Sequence, residues 1–442
     1  MRLGDLKGCR VAVWGYGREG KAAVRKLRGI AGELIIADTS PDLMAPPEDE
    51  SLEIVVGSSA VTALLSADVI VKSPGISPMT EIYQTVSESG PVITTGTNLW
   101  LEENHSRTIA ITGTKGKSTT ATMLGAAMAN LGIAGVVAGN IGEPLLDAPS
   151  AEYYVVELSS YQCSSVVRSP STVIFTSFFP EHLDWHGGID RYRSDKFNVA
   201  MHGSKLVIAN GYESRLREEL PGLGPDTRTV WTGAESVVVD HDGNLKLTDG
   251  RIVPRDAIPA QGLHNARNAA LAVVCLEELF AERLRGIAAE QIFRGFKPLD
   301  HRLQSIPSAD GRTWIDDGLA TAPEATVAAL KTLADQDVTL IIGGADRGLS
   351  YDPLVDYLTD RQKRVVIITT GQSGPRMAAA VRSVDHHLVI ETESFSDAMS
   401  LARNETPLGG TILLSPGAPS FGEFRDYVER GRAFAEFVSK LK

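Results

Sequence analysis

Cysteine is scarce: Cys9, Cys163 and Cys275 are the only three in 442 residues, and none stands at metal-site spacing from another. That argues against a disulfide framework or a cysteine metal site, and for small buried thiols in a reducing compartment. No apolar run is long enough to span a bilayer. The start, Met1-Arg-Leu-Gly-Asp-Leu-Lys7, lacks an apolar signal region, so a cytoplasmic protein with no membrane partner is expected. Basic residues are in deficit, 43 against 55 acidic ones for a net charge of −12. This argues against general nucleic-acid or anionic-membrane binding while leaving room for local phosphate pockets. Low-complexity tracts and short-period repeats are absent.

What is present is ordinary for a globular protein, 43% hydrophobic and 22% charged, and the length suits two or three domains. Short β-branched runs such as Arg10–Trp14, Val69–Val71, Ile109–Ile111, Tyr153–Val156, Val173–Thr176, Leu206–Ala209, Val338–Ile342 and Ile412–Leu414 alternate with helical stretches. The alternation predicts an α/β fold with mostly parallel sheets. Residues 229–253 read as short strands with Asp242-Gly243 as a hairpin turn. Val136–Pro144 reads as a loop, and an alanine-rich helix runs from Gly262 to about Leu279. The pattern restarts near Trp100–Asn104, and Lys297–Arg302 resembles a linker. Three domains are therefore expected, at 1–101, 102–299 and 300–442.

The most informative stretch is Thr108-Ile-Ala-Ile-Thr-Gly-Thr-Lys-Gly-Lys-Ser-Thr-Thr120. A strand leads into a turn bearing Gly113, Thr114, Lys115 and Gly116, and Lys117, Ser118 and Thr119 open a helix. Backbone N–H groups and a helix N-terminus surround an anion, a lysine adds charge and a hydroxyl reaches Mg²⁺. In Gly-x-x-x-x-Gly-Lys-Ser/Thr the first glycine would fall at Ile111, so the P-loop is imperfect. The flanking strand and helix still favour a nucleotide, ATP, over a surface turn. Glu157, at the end of the strand Tyr153–Val156, is well placed to hold Mg²⁺; by itself it also suits a helix start.

Other candidates are weaker. Gly15-Tyr-Gly17-Arg-Glu-Gly20 between a strand and a helix, with Asp38 ending the next strand, is the pattern of dinucleotide-binding units; alone it also serves mere packing. Ser73 and Gly75 lie in a rigid turn at a strand's C-terminal end. His182, Asp184 and His186 follow another strand exit without showing which does what. Lys196 by itself reads as a solvated helix lysine. Asn265 and Asn268 share a helix face and either cap the helix or meet a base edge.

Taken together, Gly113–Thr119, Gly139-Asn-Ile-Gly142, Glu157-Leu-Ser-Ser160, Glu181-His-Leu-Asp184, Tyr192–Lys196, His264-Asn265 with Asn268, His301-Arg302 and Asp316-Asp317 resemble the Mur ligases. These are ATP-dependent amino-acid ligases of peptidoglycan precursor synthesis, and the match is to their glutamate-adding members over essentially the whole chain. The resemblance implies a Rossmann-like N-terminal domain that binds a UDP-N-acetylmuramoyl-L-alanine substrate without NAD. Gly15, Asp38, Thr39, Ser73, Gly75 and Asn140 would line its site. It implies a central P-loop-type ATPase domain for ATP and two Mg²⁺ ions. Lys117 and Ser118 would meet phosphate and metal, Glu157 and His182 would be metal ligands, and Lys196 would bear a carbamate. Lys117, His182 and Lys196 are the implied catalytic residues. Asn265, Asn268, Arg302 and Asp317 would contact adenosine. A Rossmann-like C-terminal domain would bind the amino acid. Small-molecule substrates and a monomer are expected.

The amino-acid end departs from the common D-glutamate-adding pattern. Leu319 and Arg347 stand where lysines are usual, Cys-Ala-Ser-Leu becomes Ala418-Pro-Ser420-Phe421, and a phenylalanine becomes Tyr427; Thr321 and Ser420 are kept. Phe179–Gly187 and Ser415–Gly422 resemble the smaller branch that adds L-glutamate. L-glutamate is the expectation and D-glutamate the alternative. Two readings of other classes remain, a nicotinamide oxidoreductase using Gly15-x-Gly17-x-x-Gly20 and a non-catalytic nucleotide-binding module.

Overall fold

The β-branched runs become short, mostly buried strands whose two faces are both covered by helices, which is why they read as continuous apolar stretches rather than alternating ones. A computed structural model describes residues 1–39, 52–258, 260, 262–297, 300–346 and 348–441. They fall into two compact units, Met1–Lys297 and Pro298–Lys442.

The first unit contains two parallel sheets. One has the order β3-β2-β1-β4-β5, with β1 Arg10–Trp14, β2 Glu33–Asp38, β3 Glu53–Val56, β4 Val69–Lys72 and β5 Val92–Thr94. The strand order reverses between β1 and β4, the place where open α/β sheets open a crevice for ligands. The glycine turn after β1 is packed tightly: a Cβ on Gly20 would lie 1.9 Å from the Gly15 carbonyl oxygen. Only glycine lets the helix Arg18–Leu27 start this close to the strand end.

The other sheet has the order β11-β10-β9-β6-β8-β7. Its strands are β6 Thr108–Thr112, β7 Gly135–Gly139, β8 Tyr153–Glu157, β9 Thr172–Phe175, β10 Leu206–Ala209 and β11 Arg228–Trp231. Every residue of β6 is buried, so the phosphate turn that follows is hung from the middle of the sheet. The stretch expected as a loop from Val136 begins as edge strand β7, in register with β8 from Gly135↔Tyr153 to Gly139↔Glu157. A short Val-Val-Ala core between glycines hid the strand, and pairing with β8 supplies what its own sequence does not. Residues 228–231 join this main sheet. The small antiparallel sheet is confined to β12 Val238–Val239, β13 Leu245–Lys246 and β14 Ile252–Val253, with Asp242-Gly243 in the β12–β13 turn. The alanine-rich helix extends further than expected, Leu263–Arg285, with non-helical backbone at Phe280 where the pattern fades.

The second unit has the order β15-β16-β20-β17-β18-β19, with β15 Gln304–Ile306, β16 Thr313–Asp316, β17 Val338–Gly343, β18 Val365–Thr370, β19 Leu388–Glu391 and β20 Thr411–Leu414. Only β15 runs antiparallel to its neighbour. The α/β class and the predominance of parallel sheets are as expected from the sequence.

Candidate active site

The strand ends of both sheets of the first unit face one cleft of about 580 Å³. Gly15, Asp38, Thr39, Ser73 and Gly75 line it from the N-terminal sheet. Asn140, Lys117, His182 and Lys196 line it from the central one. Residues assigned in sequence to a UDP-bearing substrate and residues assigned to phosphate chemistry thus share one space. Asp38 does not simply await a ligand, since its carboxylate accepts the Tyr16 N–H at 3.0 Å.

The phosphate turn is built as its sequence requires. Gly113 has φ 142°, and a Cβ there would lie 2.1 Å from Thr176 Oγ1, so no other residue fits. Gly116 precedes the helix Lys117–Asn130, whose first turn carries Ser118 and Thr119. Lys117 Nζ folds back over the turn and donates to the carbonyls of Gly113 (3.0 Å) and Thr114 (2.9 Å). Thr114 Oγ1 holds the turn to Phe179 O (2.9 Å) and to the Tyr192 hydroxyl (2.8 Å). Lys115 pairs with Glu181 at 2.8 Å. Asn268 lies against the same turn: a Cβ on Gly116 would fall 2.6 Å from its Oδ1. Its amide donates to Asn265 Oδ1 at 3.2 Å, so the two asparagines act as a pair.

Beside the turn stand a carboxylate and an amine that the fold has desolvated. Glu157 is 1% exposed. Its Oε1 accepts from Asn140 Nδ2 at 2.9 Å, and its Oε2 is buried with no hydrogen-bond partner among the described residues. Lys196 is 2% exposed, donates to Gly113 O at 3.0 Å, and lies 4.9 Å from the Tyr192 ring centre. Burial, and after it the Lys117 ammonium, pushes its pKa down to about 7. Burial also holds His182 below its usual value against the pull of Glu181, helped by Lys115, Lys117 and Lys196. His182 caps a short helix in left-handed backbone, φ 58°, a conformation uncommon for a residue with a Cβ. His186 and Asp184 part company with it: His186 is buried between Asp195 Oδ2 (2.7 Å) and Ser160 Oγ (3.0 Å), and Asp184 is exposed.

No group of three His, Cys, Asp or Glu residues among the described ones forms a ready metal cage. Mg²⁺ keeps waters and takes substrate phosphate oxygens in addition to one or two protein ligands. The orphaned Glu157 Oε2 and the hydroxyl of Ser118 are ligands of the required kind.

Some residues that shape the site carried no signal of their own. Arg18, inside the glycine motif, donates to the carbonyls of Gly139 (2.6 Å), Gly142 (2.8 Å) and Asn140 (3.2 Å). Trp185 donates its indole N–H to Gly75 O at 2.9 Å and accepts from Ser77 Oγ at 2.5 Å through its own carbonyl. These contacts join segments more than a hundred residues apart, and local pattern does not predict such pairs.

In the second unit, the loops after the neighbouring parallel strands β16 and β20 carry Thr321 and Ser420 with Phe421 respectively; Arg347 lies outside the described residues. Ser420 is buried, while Thr321, Phe421 and Tyr427 are exposed. Tyr427 meets the His301 ring edge-on at 6.1 Å between centres. Asp317 is buried and accepts from Ser415 Oγ (2.8 Å) and Leu303 N–H (3.3 Å). Burial pushes its pKa up to about 7, with Ser415 and then Arg302 pulling the other way. Arg430, unremarked in the sequence, is buried and donates to Gly318 O, Ala418 O and Gly343 O, tying the loops after β16 and β20 to the end of β17.

Residues 111–276 match the family model described as the Mur ligase middle domain, and residues 301–417 match that described as the Mur ligase, glutamate ligase domain. The chain is similar to the UDP-N-acetylmuramoyl-L-alanine–L-glutamate ligase of Salinispora tropica, at 40% identity over 446 residues and 99% of both chains. It is 36% identical over 470 residues to the protein of the same name from Xanthomonas euvesicatoria pv. vesicatoria, covering 99% of this chain and 97% of the other. Among solved structures, the UDP-N-acetylmuramate-alanine ligase of Thermotoga maritima superposes with a TM-score of 0.59 at 17% identity, over 98% of this chain and 99% of that one. The MurF ligase of the same organism, solved in complex with ADP, gives 0.57 at 14% identity, over 99% of this chain and 96% of that one.

Proposed function

The chain belongs to the Mur ligase family, and on that premise we propose that it joins L-glutamate to UDP-N-acetylmuramoyl-L-alanine, forming ADP and phosphate, in peptidoglycan precursor synthesis. ATP use is common to the family, and the other assignments are our own. Residues 1–101 take the UDP portion of the substrate, 102–299 take ATP and Mg²⁺, and 300–442 take the amino acid.

The observation that carries this reading is the shared cleft, in which Gly15, Ser73 and Gly75 face the same space as Lys117, His182 and Lys196. A nucleotide-sugar seated on the N-terminal turns would extend its acyl end toward the phosphate turn. An oxidoreductase would leave Lys117 and Lys196 on that cleft, and Glu157 buried behind Asn140, without a task, and a nucleotide-binding module would not need the N-terminal turns.

The chemistry follows from what a carboxylate lacks. Its oxygen is a poor leaving group for amine attack. The L-alanine carboxylate therefore attacks the γ-phosphorus of ATP, an acyl phosphate forms and ADP leaves. The glutamate amine then adds to the acyl carbon, loses a proton, and expels phosphate. The enzyme's part is positioning and charge neutralisation. Lys117 moves from its own turn's carbonyls onto the phosphates, and Asn265 and Asn268 take adenosine. Ser118, Glu157, His182 and Lys196 would hold two Mg²⁺, which when bound supply positive charge against the phosphate oxygens. Lys196 fits carbamylation because a desolvated amine near neutrality adds CO₂ and releases a proton, turning a cation unsuited to a metal site into an anion. A cytoplasmic monomer is part of the same proposal; no helix among the described residues is long and apolar enough to cross a membrane.

The test is coupled release of ADP and phosphate by the purified protein with ATP, Mg²⁺, UDP-N-acetylmuramoyl-L-alanine and L-glutamate, with the product mass confirmed. Turnover that does not depend on the UDP substrate overturns the reading.

A further inference from the structure

The Gly139–Gly142 loop is fixed from two sides. On one side Asn140 binds Glu157 twice, through its backbone N–H to Glu157 O (2.9 Å) and its side-chain amide to Glu157 Oε1 (2.9 Å). On the other side the carbonyls of Gly139, Asn140 and Gly142 converge on the Arg18 guanidinium. Three converging acceptors suit the planar fork of arginine, which holds its donors in fixed directions where lysine offers a compact charge on a flexible stem. Arg18 begins the helix that leaves the Gly15–Gly17 turn. The turn that lines the substrate cleft and the clamp on the loop therefore belong to one rigid element. Farther along the helix, Arg25 pairs with Asp147 at 2.5 Å.

We propose that Arg18 is a positioning residue which, by holding the Gly139–Gly142 loop, sets the Asn140–Glu157 contact and so presents the free Glu157 oxygen to a divalent cation. This rests on the reading of Glu157 as a Mg²⁺ ligand. Arg18 acts on the metal end of the cleft through the loop, with its hydrogen-bonding face already engaged by carbonyls. Loss of the clamp lets Asn140 drift and Glu157 rotate, and cation affinity falls while the N-terminal turns still take their ligand.

The experiment compares wild type with Arg18→Met, Arg18→Lys and Arg25→Met. Mg²⁺ is titrated against the thermal stabilisation given by saturating ADP, and UDP binding is measured by calorimetry in Mg²⁺-free buffer. Direct partners of metal ligands typically change metal affinity about 10–100-fold. One step further removed, Arg18→Met should raise the half-saturating Mg²⁺ concentration about five- to tenfold. Arg18→Lys should fall between it and wild type. Arg25→Met should match wild type, and UDP affinity should hold within about twofold throughout. The inference is overturned by an unchanged Mg²⁺ midpoint in both Arg18 variants, by an equal shift in Arg25→Met, or by UDP affinity that falls as far as Mg²⁺ affinity. A wild type with no Mg²⁺-dependent shift overturns it as well. If Arg18→Met does not fold, Arg18→Lys alone decides. Neither readout needs ligase turnover, so failure of the proposed substrate would leave this test standing.

Discussion

Asn140 donates its side-chain amide to one oxygen of Glu157 at 2.9 Å, while the other oxygen of that carboxylate is buried with no hydrogen-bond partner among the described residues. A buried acceptor left unpaired costs stability. Glu157→Gln keeps the shape and the Asn140 contact and removes the charge. The expected result is a ligand-free melting temperature equal to or above that of wild type, with phosphate release slowed about 10²–10³-fold, the range for removing an electrostatic stabiliser from a reaction centre. Thermal melts and initial rates check it. A variant as active as wild type would leave the orphaned oxygen without a function.

Lys117 Nζ now rests on the carbonyls of its own turn, Gly113 and Thr114, so removing it frees acceptors that lie beside the cleft. Lys117→Met should fold and bind UDP normally, because the N-terminal turns are untouched. Its rate of ADP formation should fall by at least about 10²-fold. Single-turnover ADP release beside calorimetric UDP binding separates the two effects. Full-rate ADP formation by this variant would displace Lys117 from the mechanism.

Lys196 predicts a pH and CO₂ dependence. Its amine, pushed down to about 7, is largely neutral above that pH and protonated below it. Only the neutral amine adds CO₂. At fixed dissolved CO₂, restoring it to a CO₂-depleted enzyme should raise activity strongly at pH 8 and little at pH 6. Lys196→Met should respond at neither. A response independent of pH would remove the amine's ionisation from the activation step.

The strands and the phosphate turn were legible because both are written locally. Buried parallel strands demand contiguous apolar residues rich in β-branched ones, as in Val69–Val71 or Val155–Val156, and the phosphate turn demands glycine at fixed offsets, as the close approach of Thr176 to Gly113 illustrates. Edge strand β7 was hidden because its order comes from β8. His182 and His186, four residues apart and alike in sequence, were separated only by what surrounds them: a cleft for one, Asp195 and Ser160 for the other. Arg18 and Arg430 carry no local signal because their value lies in carbonyl groups brought near by tertiary folding.

The amino-acid preference should be readable at Phe421, which is 46% exposed at the end of the β20 loop. Phosphate release with UDP-N-acetylmuramoyl-L-alanine should be faster with L-glutamate than with D-glutamate. Phe421→Leu, which shrinks this side chain toward the residue usual in D-glutamate-adding enzymes, should narrow the ratio about tenfold, the scale of packing differences in a specificity pocket. Equal or greater turnover on D-glutamate by the wild type would reverse the assignment.

Asp317 predicts how stability follows pH in the second unit. Burial raises its carboxyl from 3.8 to about 7, so between those values the folded chain keeps a proton that the unfolded chain gives up. Stability then falls as pH rises. The contribution is complete below about 3.8 and is lost as the pH passes through about 7. Asparagine mimics the protonated acid: its carbonyl can still accept from Leu303, and the Ser415 hydroxyl can turn to accept from its amide. Asp317→Asn should therefore melt near wild type below about pH 3.8, gain on it as the pH rises toward about 7, and hold a level advantage above that, in nucleotide-free protein. A constant offset across that range would mean that the carboxyl ionises as easily in the fold as outside it. An offset shrinking with pH would mean that the fold favours the ionised carboxylate, with Ser415 and Arg302 outweighing burial.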